Sequence, residues 1–326
     1  MLISTEALTE VVEHDEGNAT VTAESGIALS QLDEVVSTRG QFVPCEYSQG
    51  ATLGGIAAAN WSGATRLRYG TPRDLILGTH IALSDGRLLK AGGKVVKNVS
   101  GYDLGKLFIG SHGTLGMLTQ ITLRLRPHDE KSVLWTRSYA SWNEVSAAAF
   151  EILNGAFEPT LLRARDTDDG LMLDARFDGG NAAVGAQMGR LPRGAQSREL
   201  TLEERRGEYS PTPKTDENSA RVLAALPLQS ALSFVQAARE SSSENIAWDC
   251  GFGFVRADVL VRNVKSLREF AENCGGNLTI ESAPQNAKTP DFVWGAPSSD
   301  FVLQKRLKEK YDARGLCAPG RFLGGL

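Results

Sequence analysis

A chain of 326 residues is long enough for two domains with a core each. Its 41% hydrophobic and 23% charged content is that of a globular protein, and a formal net charge of -4 gives no electrostatic reason to expect a nucleic-acid partner. No apolar run reaches the roughly 18 residues that span a bilayer. The cysteines, Cys45, Cys250, Cys274 and Cys317, form no paired motif, which argues against a cysteine-held zinc or iron–sulfur site and for free thiols in a reducing cytoplasm.

Met1–Glu6 lacks the basic and then apolar layout of a signal peptide. Thr20–Glu24 alternates as a strand and is broken by Ser25-Gly26. Leu29, Leu32, Val35 and Val36 mark one face of a short helix that stops at Gly40. Gln41–Pro44 leads into a first glycine-rich stretch, Gln49–Gly63. His80–Leu83 reads as a strand, Ser84-Asp85-Gly86-Arg87 as a hairpin turn in which Asp-Gly accepts φ > 0, and Leu88–Lys90 as the returning strand. A second glycine-rich stretch, Gly92–Leu104, ends where Asp103 caps a short helix bearing Leu104, Leu107 and Phe108. A third, Gly110–Gly116, precedes a half-buried strand in which Ile121, Leu123 and Leu125 alternate with Thr122, Arg124 and Arg126 up to Pro127. Glycine is entropically costly inside regular structure, so three such stretches point to backbone that takes φ > 0 or comes close to a ligand. A nucleotide is the usual ligand, and tight turns between strands are the plain alternative.

The pattern changes after Pro127. Ser141-Trp142-Asn143-Glu144 is a capping box, continued by Trp142, Val145, Ala149 and Ile152 on one helical face. Strand-like runs follow at Leu161–Arg165 and Leu171–Phe177. Thr201–Asn218, polar and with Pro211 and Pro213, reads as a loop. A helix at Ser230–Arg239, a strand at Ile246–Cys250, a helix at Val264–Cys274 stopped by Gly275-Gly276 and a strand at Asn277–Ile280 complete an α+β pattern. A last helix, Phe301–Asp312, with Asp300 as its cap, places Leu303, Leu307 and Tyr311 on one face. No internal repeat is evident. Trp61, Trp248 and Trp294 read as packing residues, and Arg66, Arg68 and Arg73 as surface or ion-paired side chains.

The stretch Pro44–Arg126 resembles the flavin-binding domain of the FAD-binding PCMH/vanillyl-alcohol-oxidase superfamily, and within it the E-subunit branch of the glycolate oxidases. Gly93-Lys94-Val95-Val96-Lys97-Asn98-Val99-Ser100-Gly101-Tyr102-Asp103-Leu104 carries the similarity most strongly. The tail Tyr311–Arg321 is similar to the family's closing Asp-Pro-x-Gly…Asn-Pro-Gly motif, with Ala313 and Ala318 as departures, and Trp248-Asp249 followed by Gly251 resembles the cap region. The resemblance implies an α+β fold: a PCMH-type FAD-binding domain over residues 1–127, an α+β cap domain over 128–296, and a C-terminal helix and tail, 297–326, packing on the flavin domain.

It also implies site residues. Pro44, Thr52, Leu53, Gly54 and Gly55 would pass along the ribityl–pyrophosphate side of FAD, with the Thr52 hydroxyl and the Leu53, Gly54 and Gly55 N–H groups as donors. Gly55 would lie within van der Waals reach of the nucleotide. Ala59, Asn60 and Gly63 would follow. His112, Gly113, Thr114, Leu115, Gly116 and Leu118 resemble the segment Glu-Gly-Thr-Leu-Gly-Ile, which holds FAD through backbone; His112 stands where the family has an acid and reads as a loop histidine rather than a covalent flavin anchor. Lys97 and Asn98 would lie near the flavin ring, or are a polar pair at a strand end.

Two departures shape the functional expectation. The family has a further pyrophosphate-binding lobe before the strand that Met1–Glu16 matches, and its absence implies weak FAD binding by the chain alone. The D-type relatives carry a paired-histidine metal motif in the cap, whereas the histidines here, His14, His80, His112 and His128, are unpaired. No general base, catalytic residue or metal site is therefore identified. The resemblance implies an FAD-binding subunit that helps oxidise a small 2-hydroxy acid to the 2-oxo acid, together with a D-type flavin subunit and an iron–sulfur subunit. It would be cytoplasmic and meet the membrane only through that complex. The alternative is a non-catalytic scaffold with a degenerate flavin fold.

Overall fold

The computed structural model describes residues 3–94, 103–206 and 217–326. They fall into two compact units, residues 3–128 with 297–326 and residues 129–205 with 217–296.

The first unit runs β1 (Val11–Asp15), β2 (Thr20–Glu24), α1 (Leu29–Ser37), β3 (Gln41–Phe42), α2 (Leu53–Ala59), α3 (Arg66–Tyr69), α4 (Pro72–Leu75), β4 (Ile76–Ala82), β5 (Leu88–Gly92), a 3-10 turn at Leu104–Leu107, β6 (Met117–Arg124) and β7 (Arg126–Pro127). Five strands pair antiparallel in the order β1-β2-β6-β4-β5. Strand alternation puts Val21, Ala23, Ile81, Ile121 and Leu123 into one buried cluster with Leu29, Leu32 and Val36 of α1 and Leu53, Ile56 and Ala57 of α2. Val35 is 42% exposed, against the expectation, because a short helix buries only a narrow stripe. The hairpin forms as expected: Gly86 takes φ 88 and donates its N–H to the Leu83 carbonyl at 3.0 Å. Asp103 accepts from the Gly105 N–H at 3.1 Å; Phe108 is buried, but Leu104 points out.

The second unit runs β8 (Lys131–Tyr139), α5 (Trp142–Asn154), β9 (Leu161–Thr167), β10 (Gly170–Gly179), α6 (Asn181–Met188), β11 (Gln196–Glu199), α7 (Leu202–Arg206), β12 (Ser219–Ala225), α8 (Ala231–Glu240), β13 (Glu244–Asp249), β14 (Phe254–Leu260), α9 (Val264–Asn273), β15 (Asn277–Ser282) and α10 (Pro290–Trp294). Its sheet order is β11-β8-β10-β9-β13-β14-β12-β15. Residues 131–199 and 219–282 therefore share one topology, strand-helix-strand-strand-helix-strand, each sheet half ordered fourth-first-third-second, and they meet through their second strands, β9 and β13. This duplication corrects the reading that the chain holds no repeat.

The expected α5 cap is present, with Ser141 Oγ accepting from the Glu144 N–H at 3.3 Å; the Glu144 carboxylate reaches the Ala140 N–H rather than that of Ser141. Strands β12 and β14 and helix α6 were not expected. The strand alternation was masked by charges at buried positions: Arg221, Arg256 and Asp258 are each under 5% exposed. They belong to a layer of ion pairs on one sheet face. Arg163 Nε donates to Asp249 Oδ1 at 2.5 Å, Arg256 Nη1 to Asp249 Oδ2 at 3.2 Å, and Arg221 Nη1 to Asp258 Oδ1 at 3.0 Å. Trp248 and the helix-facing residues form the apolar side. The expected loop Thr201–Asn218 opens with α7, and its centre lies outside the described residues.

The C-terminal helix α11 (Phe301–Tyr311) belongs to the first unit. Tyr311 packs edge-on against Phe108 at 5.3 Å, and Leu307 lies against the same core. Leu303 is 60% exposed, so only the second half of the helix meets the core. Asp300 stands at the N-cap, yet its carboxylate accepts from Ser298 and Gln304 side chains rather than from backbone. Among the described residues no helix is long and apolar enough to cross a membrane.

Candidate functional site

The expected site residues gather around α2, which is tied at both ends. At its N-terminus, Gly54 donates to the Ser25 carbonyl at 2.7 Å, and Ser25 in turn donates through Oγ to the Leu118 carbonyl at 2.6 Å. At its C-terminus the Gly110 and His112 N–H groups donate to the Ala57 and Ala58 carbonyls at 3.0 and 2.8 Å. The two stretches Gln49–Gly63 and Ser111–Leu118 are thus hydrogen-bonded neighbours; Thr52, Ala59, Asn60, His112 and Gly113 are partly exposed, while Thr114, Leu115, Gly116 and Leu118 are buried. Asn60 takes φ 48, which asparagine tolerates, and its Oδ1 accepts the Arg73 N–H at 3.0 Å. Pro44 is buried, and the neighbouring Glu46 receives the Thr65 N–H at 3.0 Å beside Gly63.

The structure corrects how these residues act. The Leu53, Gly54 and Gly55 N–H groups are committed to Ile27 O (3.0 Å), Ser25 O (2.7 Å) and Thr52 Oγ1 (3.1 Å), so they do not serve as donors to a ligand. Thr52 uses its oxygen as the helix cap and keeps its hydroxyl proton. Gly54, Gly63 and Gly116 are required by the chain itself: a Cβ would stand 2.8 Å from Ser25 Cβ, 1.8 Å from Glu46 Oε2, and 3.0 Å from Ile81 Cγ2. Gly55 is exposed, and a Cβ there would meet Thr52 Oγ1 at 3.0 Å.

Gly113 differs. It takes φ 75, and among the described residues nothing beyond its chain neighbours lies within 4 Å of where its Cβ would be. Among the described residues, no hydrogen bond occupies the N–H groups of Gly113, Leu115 or Gly116. A bare left-handed glycine followed by such donors is the kind of backbone nest that receives a phosphate or a ring acceptor, so this loop fits FAD. Among the described residues, the uncommitted donors are the Gly113, Leu115 and Gly116 N–H groups and the Thr52 hydroxyl rather than the start of α2. Lys97 and Asn98 lie outside the described residues.

His112 is stacked on Phe322 at 5.5 Å. Burial, and then the Arg321 guanidinium, hold its imidazole below the usual pKa, so the ring is neutral at pH 7. The tail folds over this loop through Asp312, the Asp of the closing motif, and Lys308, which the sequence reading did not single out. The Lys308 ammonium donates to Thr114 O at 2.7 Å, Asp312 Oδ2 at 2.6 Å and Cys317 O at 2.9 Å. Their i,i+4 spacing on the last helix was the available signal. Ala318, where the family motif has Asn, takes φ 40, a conformation asparagine accepts more readily.

Burial pushes the Asp312 carboxyl up, but hydrogen bonds from Lys308, Ser84 and the Cys317 and Leu316 N–H groups outweigh it and hold the pKa at about 2. The folded value lies below the unfolded value of about 3.9. The carboxylate therefore stabilises the fold above pH ~4 and loses that contribution as the pH falls towards ~2. Acid unfolding of the parent is expected to show this slope, and Asp312→Asn to lack it while being less stable at pH 7. Superimposable acid limbs would contradict the assignment.

The profile of the FAD binding domain family matches residues 1–92. The chain is 28% identical to glycolate oxidase subunit GlcE of Escherichia coli (strain K12), over 97% of this chain and 85% of that one. It is 25% identical to glycolate oxidase subunit GlcD of Bacillus subtilis (strain 168), over 97% and 77%. Against a D-lactate dehydrogenase of Archaeoglobus fulgidus it is 41% identical, over 39% of this chain and 29% of that one. In fold it is similar to a chitooligosaccharide oxidase (TM-score 0.67, 16% identity, 95% and 79% covered) and to an alkyldihydroxyacetonephosphate synthase, of which it spans 65% (TM-score 0.64, 14% identity, 96% of this chain). Residues 1–92 thus match the FAD binding domain family, with FAD as its cofactor, and over nearly its whole length the chain is similar to glycolate oxidase subunits.

Proposed function

We propose that this chain is the FAD-binding subunit of a glycolate-oxidase-like complex that oxidises a small 2-hydroxy acid to the 2-oxo acid. The observation that carries the reading is the likeness to glycolate oxidase subunits across 97% of the chain, coupled to a loop whose backbone donors are uncommitted. When bound, FAD supplies the two-electron acceptor for oxidation of the hydroxyl carbon. The chain's part is to hold and orient it: Gly113, Leu115 and Gly116 through backbone N–H, Thr52 through its hydroxyl, and neutral His112 beside them. Among the described residues no cluster of His, Cys, Asp or Glu forms a metal site, and no general base is identified here. Proton abstraction is accordingly assigned to a D-type flavin partner, and onward electron transfer to an iron–sulfur partner. The complex would lie in the cytoplasm or against the inner membrane.

The expected result is no turnover of glycolate or D-lactate by the purified chain with an artificial acceptor, and turnover after co-expression with D-type and iron–sulfur subunits. Robust oxidation by the single chain would refute the partnership. A second reading, a scaffold that no longer holds FAD, is favoured by the internally committed N–H groups of Leu53, Gly54 and Gly55.

A further inference from the structure

Lys308 spends its three ammonium protons on three oxygens, one at the cap that ends its own helix, one in the tail and one in the loop that follows Gly113. Asp312, 2% exposed, completes the knot by accepting the Leu316 N–H at 3.1 Å and the Cys317 N–H at 2.8 Å. Holding a charge here costs desolvation that an apolar side chain would avoid. What the ammonium does that a methionine cannot is pin the Thr114 carbonyl. The Thr114–Leu115 peptide is trans, so its carbonyl and its N–H point in opposite directions. Pulling the carbonyl towards α11 therefore aims the Leu115 N–H away from α11, and that N–H has no acceptor among the described residues.

We propose that Lys308 is a positioning residue for the cofactor: by pinning the Thr114 carbonyl it presents the Leu115 N–H as a donor to FAD. The proposal rests on the reading that this loop holds FAD. It extends that reading to the C-terminal helix, which would thereby set cofactor affinity without touching the cofactor.

The test compares parent, Lys308→Met and Lys308→Arg as full chains, titrated with FAD and followed by flavin fluorescence, with amide hydrogen exchange on the FAD-free proteins. Losing one well-aimed donor is expected to raise the FAD Kd of Lys308→Met by about tenfold. Amides of 113–117 and 316–318 should exchange faster in it, while those of β2 and β6 stay unchanged. Lys308→Arg, which can still reach the Thr114 carbonyl, should recover most of the affinity. An unchanged Kd in folded Lys308→Met, or unchanged exchange at 113–117, would overturn the proposal. If the parent itself binds no FAD, the cofactor reading falls and takes the proposal with it, whatever the exchange shows. Should Lys308→Met fail to fold, Lys308→Leu carries the same comparison, since it too leaves no donor for the Thr114 carbonyl.

Discussion

Asp249→Ala is expected to destabilise the second unit by about 3–5 kcal/mol, the range for removing one partner of a buried ion pair. Asp249 sits on β13 directly across from Arg163 of β9, at the seam where the two halves of the eight-stranded sheet meet. Its two oxygens serve Arg163 and Arg256, and the side chains of Arg163 and Asp249 are only 1% and 2% exposed. Truncation removes the carboxylate that Arg163 and Arg256 share at this seam, while Arg256 keeps Glu281. The exposed pair Lys265–Glu269 is the contrast, since both side chains are mostly in water and Glu269→Ala should change little. Urea unfolding measures both. A loss under about 1 kcal/mol in Asp249→Ala would mean that the seam does not depend on the shared carboxylate and that the ion-pair layer is not structural.

Gly113→Asn is expected to raise the FAD Kd by about 10–100-fold, or about 1.4–2.8 kcal/mol, with little change in the unfolding midpoint. Asparagine tolerates the left-handed backbone that Gly113 adopts, and no described residue beyond its chain neighbours lies within 4 Å of the added Cβ, so the fold accepts the side chain while the ligand space does not. Gly54→Asn should behave in the opposite way. Its Cβ would press on Ser25, 2.8 Å from the Cβ and 2.9 Å from the carbonyl oxygen, so the FAD-free protein should itself be less stable, by about 1–3 kcal/mol. Equal FAD affinity in Gly113→Asn and the parent would remove the loop from the site.

Part of this was legible in the sequence because local rules suffice for it. The Asp85-Gly86 hairpin, the Ser141 cap and the strand at Thr20–Glu24 depend on neighbours in the chain and appear as read, although that strand is buried on both faces. The duplicated topology of the second unit was not legible, because Arg221, Arg256 and Asp258 occupy buried strand positions and only their cross-strand partners make that tolerable. Glycines mark close approach, but the residue type cannot say to what: Gly54 and Gly63 admit Ser25 and Glu46, while Gly113 faces open space. The Lys308–Thr114 contact spans 194 positions and leaves no local trace beyond a lysine four residues before an aspartate.

The central claim is that this chain holds FAD of its own rather than only bracing a flavin-bearing partner. The most direct measurement is the flavin content of the complex isolated through a tag on this chain, with the D-type subunit counted separately. The account predicts one FAD per copy of this chain beyond that carried by the D-type subunit, and loss of that increment in Gly113→Asn. Flavin equal to the D-type subunit alone, and the same in parent and variant, would contradict it and leave the scaffold reading.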